Sequence, residues 1–434
     1  MSGLRTSKTP KLGYKQVAPH PGADIANVSR HVDGANAGPR GYMLVRERAD
    51  PNETADDTAK TVTQAGPPEI ETGGVLTIDL AAIEANWRSL SGRVSPSECA
   101  AVVKADAYGC GIEPVAAMLT RSGCRSFFVA HLFEARRVRA ISPDVAVYVL
   151  NGIPPGSAAA FADVDARPVI GNLQELAEWD AFTATTGWRG GAALHFDTGM
   201  NRLGFSTEEA AALAPRVNRA DHGISLVMSH LACAETPKHV LNNQQIAIFR
   251  ELRGMYRSIP ASLANSSGIF LGGATHWDMV RPGAALYGAN PTPGRANPMR
   301  PVVELKGRIV ETKPVARGQT VGYGATWTAS RASRLAIVAV GYADGYLRAA
   351  TSVNGRGAQT IVADKRCPVV GRISMDLLAV DVTDVPETAA RRGDFVTVVG
   401  GNIGVDDVAA WAGTVGYEVL TNLGRRFTRH YRVA

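Results

Sequence analysis

The sequence predicts an α/β protein: a (β/α)8 TIM-type barrel over residues 75–303, followed by a mostly β domain over 304–434. Three observations predict it. Between Gly74 and about residue 303, short apolar runs alternate with helix-length amphipathic segments. Each run is nearly continuous in apolar character, as in strands buried on both faces of a helix-covered parallel sheet. Beyond residue 303 the helices give way to β-rich runs separated by Gly, Pro and Asp turns.

The elements follow in order. Residues 1–74 are polar and rich in Pro, Gly, Thr and acids toward their end, with little to bury, so they read as an extension outside the fold. The opening thirty residues contain no apolar core of a secretory signal. VLTIDL (75–80) is a short strand whose pairing partner is expected in the C-terminal domain. In the next segment Ile83, Trp87 and Leu90 recur at helical spacing. Eight strand candidates then appear: 100–107, 126–131, 146–152, 167–172, 192–199, 224–230, 262–268 and 279–288. Helix-like stretches such as LFEARRVRAI and NNQQIAIFRELRGMY separate most of them, and eight repeats in some two hundred residues match a barrel. A doubly wound open sheet is the alternative, but no G-x-G-x-x-G follows the first strand. The runs at 304–313, 334–343, 368–382 and 394–400 build the β domain, and a helical stretch closes the chain.

Composition excludes several function classes. Of 434 residues 45 % are hydrophobic and 20 % charged, the balance of a soluble globular protein. The net charge of +6 is dispersed, and its densest cluster is only Arg425, Arg426, Arg429 and Arg432, which argues against nucleic acid. No apolar run is long enough to span a bilayer. The five cysteines, Cys99, Cys110, Cys124, Cys233 and Cys367, show no paired spacing, which disfavours a disulfide framework or a zinc cage. No metal is expected, and a reducing, cytoplasmic compartment fits best.

A barrel of this kind builds its active site at the C-terminal ends of its strands. Lys104 follows Ala-Val-Val at the end of the first. On spacing alone two readings stand: a lysine snorkelling at a strand end, or a desolvated amine with lowered pKa that acts as a Schiff-base nucleophile and base. His230, Asn265, Ser266 and Arg281 occupy other strand ends. Ser266, Gly283, Ala284 and Tyr108 supply hydroxyl and backbone donors suited to a phosphate. Singly, His230 reads as a core histidine, Arg281 as a strand cap and Tyr323 as a turn tyrosine between glycines.

These same residues carry a resemblance. KADAYG (104–109), HFDTGMNRLGF (195–205), SHLACAE (229–235), ANSSG (264–268), MVRPGAALYG (279–288), VGYGATW (321–327), VGYADGY (340–346) and GRISMD (371–376) resemble, in order, the motifs of the alanine racemase family. The likeness runs from about residue 75 to the C-terminus and implies a barrel that binds pyridoxal 5′-phosphate (PLP), followed by a β domain. It implies that Lys104 binds the cofactor covalently and is one base, and that Tyr323 is the base on the opposite face. Two bases are needed because a proton leaves one face of Cα and arrives on the other. The resemblance puts Arg281 at the pyridine nitrogen, where an arginine cannot accept the ring's proton, which weakens the electron sink and favours racemisation over transamination.

By the same resemblance Tyr108, His230, Asn265, Ser266, Gly283 and Ala284 join Lys104 and Arg281 around the cofactor. Arg202 and the Met375 backbone N–H bind the substrate carboxylate, with Asp376 beside them, and Tyr342 and Arg348 line the entry channel. Alanine is the implied substrate, D-alanine for peptidoglycan the implied product, and a homodimer with shared sites the implied assembly. Three positions depart from the pattern: Cys110, where histidine is frequent; His195, where many members carry a carbamylated lysine; and Arg425, where some place a tyrosine. The last admits an amino-acid racemase that accepts serine or larger residues. A decarboxylase of similar fold is disfavoured by Arg281 and by proline after Cys367, and a single-domain PLP carrier by the whole β domain.

Overall fold

The computed structural model describes residues 62–219, 223–351 and 357–433. The extension assigned to residues 1–74 therefore lies outside the described residues as far as residue 61. Its last part does not lie outside the fold. Val62–Ala65 is a strand paired antiparallel with Thr428–Arg432, Val62 opposite Arg432. The polar composition hid it, because an edge strand needs only one partner and little apolar area.

Eight parallel strands close into a barrel. The first is split at Ala100: Glu98–Cys99 pairs with Met279–Val280, and Ala101–Val102 pairs with Ser126–Val129. The Ala100 N–H to the Val280 carbonyl (3.0 Å) and the Val102 N–H to the Pro282 carbonyl (3.0 Å) carry the closure across the break. Between them run Ala146–Val149, Arg167–Ile170, Ala192–His195, Ile224–Met228 and Ala261–Ser262, each beside its sequence neighbour. Alternate side chains fill the lumen, where Val102, Phe128, Tyr148, Val169, Leu226, Met228 and Met279 pack with Ala100 and Ala193. Phe128 and Tyr148 stack with centroids 4.8 Å apart, so the lumen is a solid core and the chemistry is confined to its rim.

The first helix, Leu80–Val94, starts where Asp79 caps it: its Oδ1 accepts the Ala82 N–H at 2.8 Å. Ile83, Trp87, Leu90 and Val94 bury one stripe against the barrel, and the Trp87 indole donates to the Cys99 carbonyl at 3.0 Å. Burying that stripe stabilises each large side chain by about 1.5–3 kcal/mol relative to exposure.

All eight strand candidates prove shorter than the apolar runs that signalled them, three of them by most of their length. The run 100–107 leaves the sheet after Val102 for a turn at Lys104–Tyr108. The runs 262–268 and 279–288 leave after Ser262 and Val280, for 3-10 turns at Gly268–Leu271 and Ala284–Tyr287. Apolar content cannot distinguish a buried turn of Ala-Ala-Leu-Tyr from a strand, because burial demands the same residues in both.

In the β domain the 13-residue strand Val303–Val315 is the spine. Its first half pairs with Gly74–Asp79 and with Phe395–Val399, its second half with Ser333–Val338. The strands Leu378–Asp381, Lys365–Val370 and Gln359–Val362 continue from Ser333–Val338 around to Phe395–Val399, so this sheet also curls back on itself. Gly74–Asp79 runs directly into the first barrel helix and thereby ties the β domain to the barrel.

Candidate active site

Lys104 stands half-buried at the rim, two residues past the last sheet residue of its strand. Burial is the largest influence on its amine and lowers the pKa; the Arg202 charge lowers it further, and the Glu134 carboxylate opposes both. The chain then does something costly. Ala105, Asp106, Ala107 and Tyr108 all adopt left-handed φ values, between 53° and 56°. At about 1–2 kcal/mol per residue, such a turn persists only if its surroundings impose it.

Three groups impose it. Glu134 Oε1 accepts the Ala105 N–H at 2.7 Å. Asp106 accepts the Ile112 N–H at 3.1 Å and an Arg137 N–H at 2.6 Å. From the β domain, Arg429 donates to the Gly109 carbonyl at 2.5 Å, and to the Leu423 and Gly424 carbonyls at 3.3 and 3.2 Å.

The turn delivers Tyr108 to the rim, its ring stacked on Tyr287 at 4.7 Å and its phenol pKa raised by burial. Its hydroxyl lies so near Gly283 that a Cβ on that glycine would sit 2.3 Å from it. Ser266 Oγ accepts the N–H groups of Gly283 (2.9 Å) and Ala285 (3.2 Å), which shapes the loop that includes Ala284. The Tyr108 and Ser266 hydroxyls meet over this Cβ-free backbone, a donor set that fits the phosphate of PLP.

Arg281 is 4 % exposed and lies at the neck of the rim. It donates to Ser262 Oγ at 2.5 Å and to the Ser229 carbonyl at 2.6 Å, with its guanidinium 5.8 Å from the centre of the Phe128 ring. Among the described residues no carboxylate pairs with it. Burial pushes its pKa down to about 9, so it keeps its proton at neutral pH as an uncompensated cation. The donor set thus suits the resemblance: a cation that cannot take a proton, where a ring nitrogen would approach.

Both nearby histidines are held neutral. Burial, with the Arg281 and Arg202 charges behind it, pushes His195 down to about 4 and His230 well below its ordinary value. Asn265 Nδ2 lies 3.4 Å from His230 Nε2, while Gln245 donates to the His230 carbonyl at 2.9 Å. Asn265 Oδ1 accepts the Gly268 N–H at 2.9 Å, fixing the next turn. Arg202 is exposed on a loop that Asp197 folds by accepting the N–H groups of Gly199, Met200 and Asn201 at 2.9–3.1 Å. Cys110 is fully buried and its thiol is pushed up to about 12, so it is a packing residue and not a nucleophile.

The remaining sequence candidates form a second group on the β domain. Tyr323 is 68 % exposed, on a one-turn 3-10 element between Gly322 and Gly324, both left-handed. Tyr342 and Met375 sit side by side because the Tyr342 N–H donates to Ser374 (3.1 Å) and the Ala343 N–H to Met375 (2.9 Å). Arg426 braces this pair, bridging Asp344 (3.2 Å) and Asp376 (2.9 Å). Arg348 opens the next 3-10 turn, and Arg425 is exposed. Among the described residues no hydrogen bond joins Tyr323, Tyr342, Arg348 or Met375 to the Lys104 group. The candidates thus fall into two groups by domain, one at the barrel rim and one on the β domain.

Sequence reasoning missed Glu134, Arg426 and Arg429. Glu134 sits in the first turn of its helix, but the preceding cap is His131, which no capping-box pattern flags. The two arginines were hidden in a run that reads as a solvated basic tail.

The chain matches the family model of the alanine racemase N-terminal domain over residues 78–291 and that of the C-terminal domain over 302–431. It is 53 % identical over 359 residues to an alanine racemase of a Methylobacterium species, covering 83 % of this chain and 98 % of the relative. A catabolic alanine racemase of Mesorhizobium japonicum is 45 % identical, covering 88 % and 99 %. The crystal structure of alanine racemase from Bartonella henselae, with covalently bound pyridoxal phosphate, superposes with a TM-score of 0.78 at 35 % identity, covering 83 % of this chain and 99 % of the other.

Proposed function

The chain belongs to the alanine racemase family, and on that premise we propose that Lys104 and Tyr323 are the two bases with which it interconverts L- and D-alanine. It is an isomerase that depends on PLP. When bound, PLP supplies the electron sink that makes the Cα proton removable at neutral pH.

Every other requirement falls to the chain. Ser266, Tyr108 and the backbone of Gly283 and Ala284 hold the phosphate. Lys104 anchors the cofactor covalently, and its Nζ holds and moves a proton on one face of Cα. Tyr323 Oη does the same on the other face. A phenol ordinarily titrates near 10, so Tyr323 needs cationic or donor neighbours in the assembled site to act as a base. Arg202 and the Met375 N–H orient the carboxylate, and Tyr342 and Arg348 line the approach. Arg281, always a donor, keeps the sink weak, so that the proton returns to Cα and not elsewhere.

The two groups meet if the enzyme is a homodimer, with Tyr323 of the partner subunit facing Lys104. The exposure of Tyr323, Met375 (53 %) and Tyr342 (41 %) supports this, since catalytic groups left in water have nothing to orient them. Among the described residues no helix is long and apolar enough to cross a membrane. A cytoplasmic enzyme supplying D-alanine for peptidoglycan is the biological role this reading favours.

One observation carries the reading: Arg281 is buried with no carboxylate partner among the described residues, and Lys104 ends another strand of the same barrel on a strained turn. Lys104→Ala tests it. The variant is expected to lose both the absorbance of covalently attached PLP and all interconversion of alanine enantiomers, whereas retention of either removes Lys104 from its role.

A further inference from the structure

We infer that Glu134 is a positioning residue for Lys104: its buried carboxylate fixes the peptide unit that follows the lysine and so sets where the ε-amine lies. The inference rests on the reading of Lys104 as cofactor anchor and base.

Glu134 is 3 % exposed and spends its two oxygens on different elements. Oε2 accepts the N–H groups of Ala130 (2.8 Å) and His131 (3.0 Å), at the start of its own helix Leu132–Ile141. Capping that helix requires no more. Oε1 instead crosses to the neighbouring strand end and accepts the Ala105 N–H at 2.7 Å. Among the described residues no cation pairs with Glu134, so its charge is shared among three backbone donors.

The Ala105 nitrogen belongs to the peptide unit whose carbonyl carbon is that of Lys104. Fixing it fixes ψ of the lysine at the point where the chain turns left-handed. The other two holds on this turn, at Asp106 and Gly109, act further along it. The carboxylate also favours the ammonium form of Lys104 over the amine, against burial and Arg202. Removing the charge while keeping the shape should therefore disturb both the place and the proton affinity of the amine.

The test uses Glu134→Gln in the full chain, with two readouts. In the PLP-loaded enzyme kcat is expected to fall about tenfold or more, with KM within about threefold of wild type, because a displaced amine loses near-attack geometry more than it loses binding. In the cofactor-free chain, the pH midpoint for covalent uptake of PLP, followed by absorbance without turnover, is expected to move to lower pH. Adding Ala105→Gly should restore part of kcat, since glycine enters the left-handed region without a Cβ clash, but should leave the midpoint shifted. If Glu134→Gln fails to fold, Glu134→Asp keeps the charge but draws it one methylene away from Ala105. A lowered kcat at unchanged KM then supports the inference, and wild-type kcat overturns it. Wild-type kcat and midpoint in Glu134→Gln overturn it too, even if the melting temperature drops, because Glu134 would then be a helix cap only. Peptide mapping that finds the cofactor on another lysine in the wild-type protein would instead remove the premise, an outcome distinct from either.

Discussion

Replacing Arg281 with methionine is expected to destroy turnover and yet leave the fold about as stable as before. The guanidinium is buried, and burial pushes its pKa well below the ordinary arginine range, to about 9. A depression of that size corresponds to about 5 kcal/mol against the charged form in the folded chain. The sign follows from linkage: the unfolded chain holds this proton more tightly, so at neutral pH the native state carries a charge it would be more stable without. Against this stand two charge-assisted hydrogen bonds, to Ser262 Oγ and the Ser229 carbonyl, each contributing about 1.5–3 kcal/mol. The opposing terms cancel to within about 2 kcal/mol. Methionine keeps the aliphatic stem and offers a polarisable sulfur to Phe128. Equilibrium urea unfolding of the cofactor-free chain measures the balance, and chiral chromatography of alanine measures activity. A loss of more than about 4 kcal/mol, as when a paired buried ion loses its partner, would refute the argument and make Arg281 a strut.

Three further outcomes are expected. Tyr323→Phe removes an exposed hydroxyl, so stability should change by no more than about 0.5 kcal/mol, while racemisation should slow about 10²–10⁴-fold with proton removal from L-alanine the step crippled most; near-normal rates in both directions would end the two-base assignment. Mixing inactive Lys104→Ala and Tyr323→Phe chains should restore some activity by pairing one intact Lys104 with one intact Tyr323, and no recovery in a verified mixed dimer would show that sites are not shared. His195, held near 4 in the fold against 6.5 when unfolded, binds more protons unfolded, so stability should fall by about 3 kcal/mol as pH drops from 6.5 to 4. His195→Phe should flatten that part of the pH–stability curve in urea unfolding, and an unchanged slope would place the titration elsewhere.

How much of this was legible in the sequence varies by residue. The barrel was legible because strands buried on both faces must be apolar throughout, and Lys104 and Arg281 stood out as charges ending such runs. The left-handed turn after Lys104 was not. Ala105 and Ala107 carry none of the glycine or asparagine that marks that conformation, since it is imposed from outside by Glu134, Arg137 and Arg429. Arg429 looked like part of a solvated tail, because alternation along Thr428–Arg432 cannot say which arginine meets the Gly109 carbonyl. Tyr323 and Met375 were visible only through their motifs. In the single chain they are exposed, and no periodicity marks an exposed residue as functional.

The most direct test of the central claim is incubation of the purified, PLP-loaded protein with L-alanine in heavy water, followed by chiral separation and mass analysis. The two-base racemase predicts D-alanine carrying deuterium at Cα, because the incoming proton derives from a solvent-exchanged base on the opposite face. Bound PLP with no D-alanine, or D-alanine without deuterium at Cα, would contradict it.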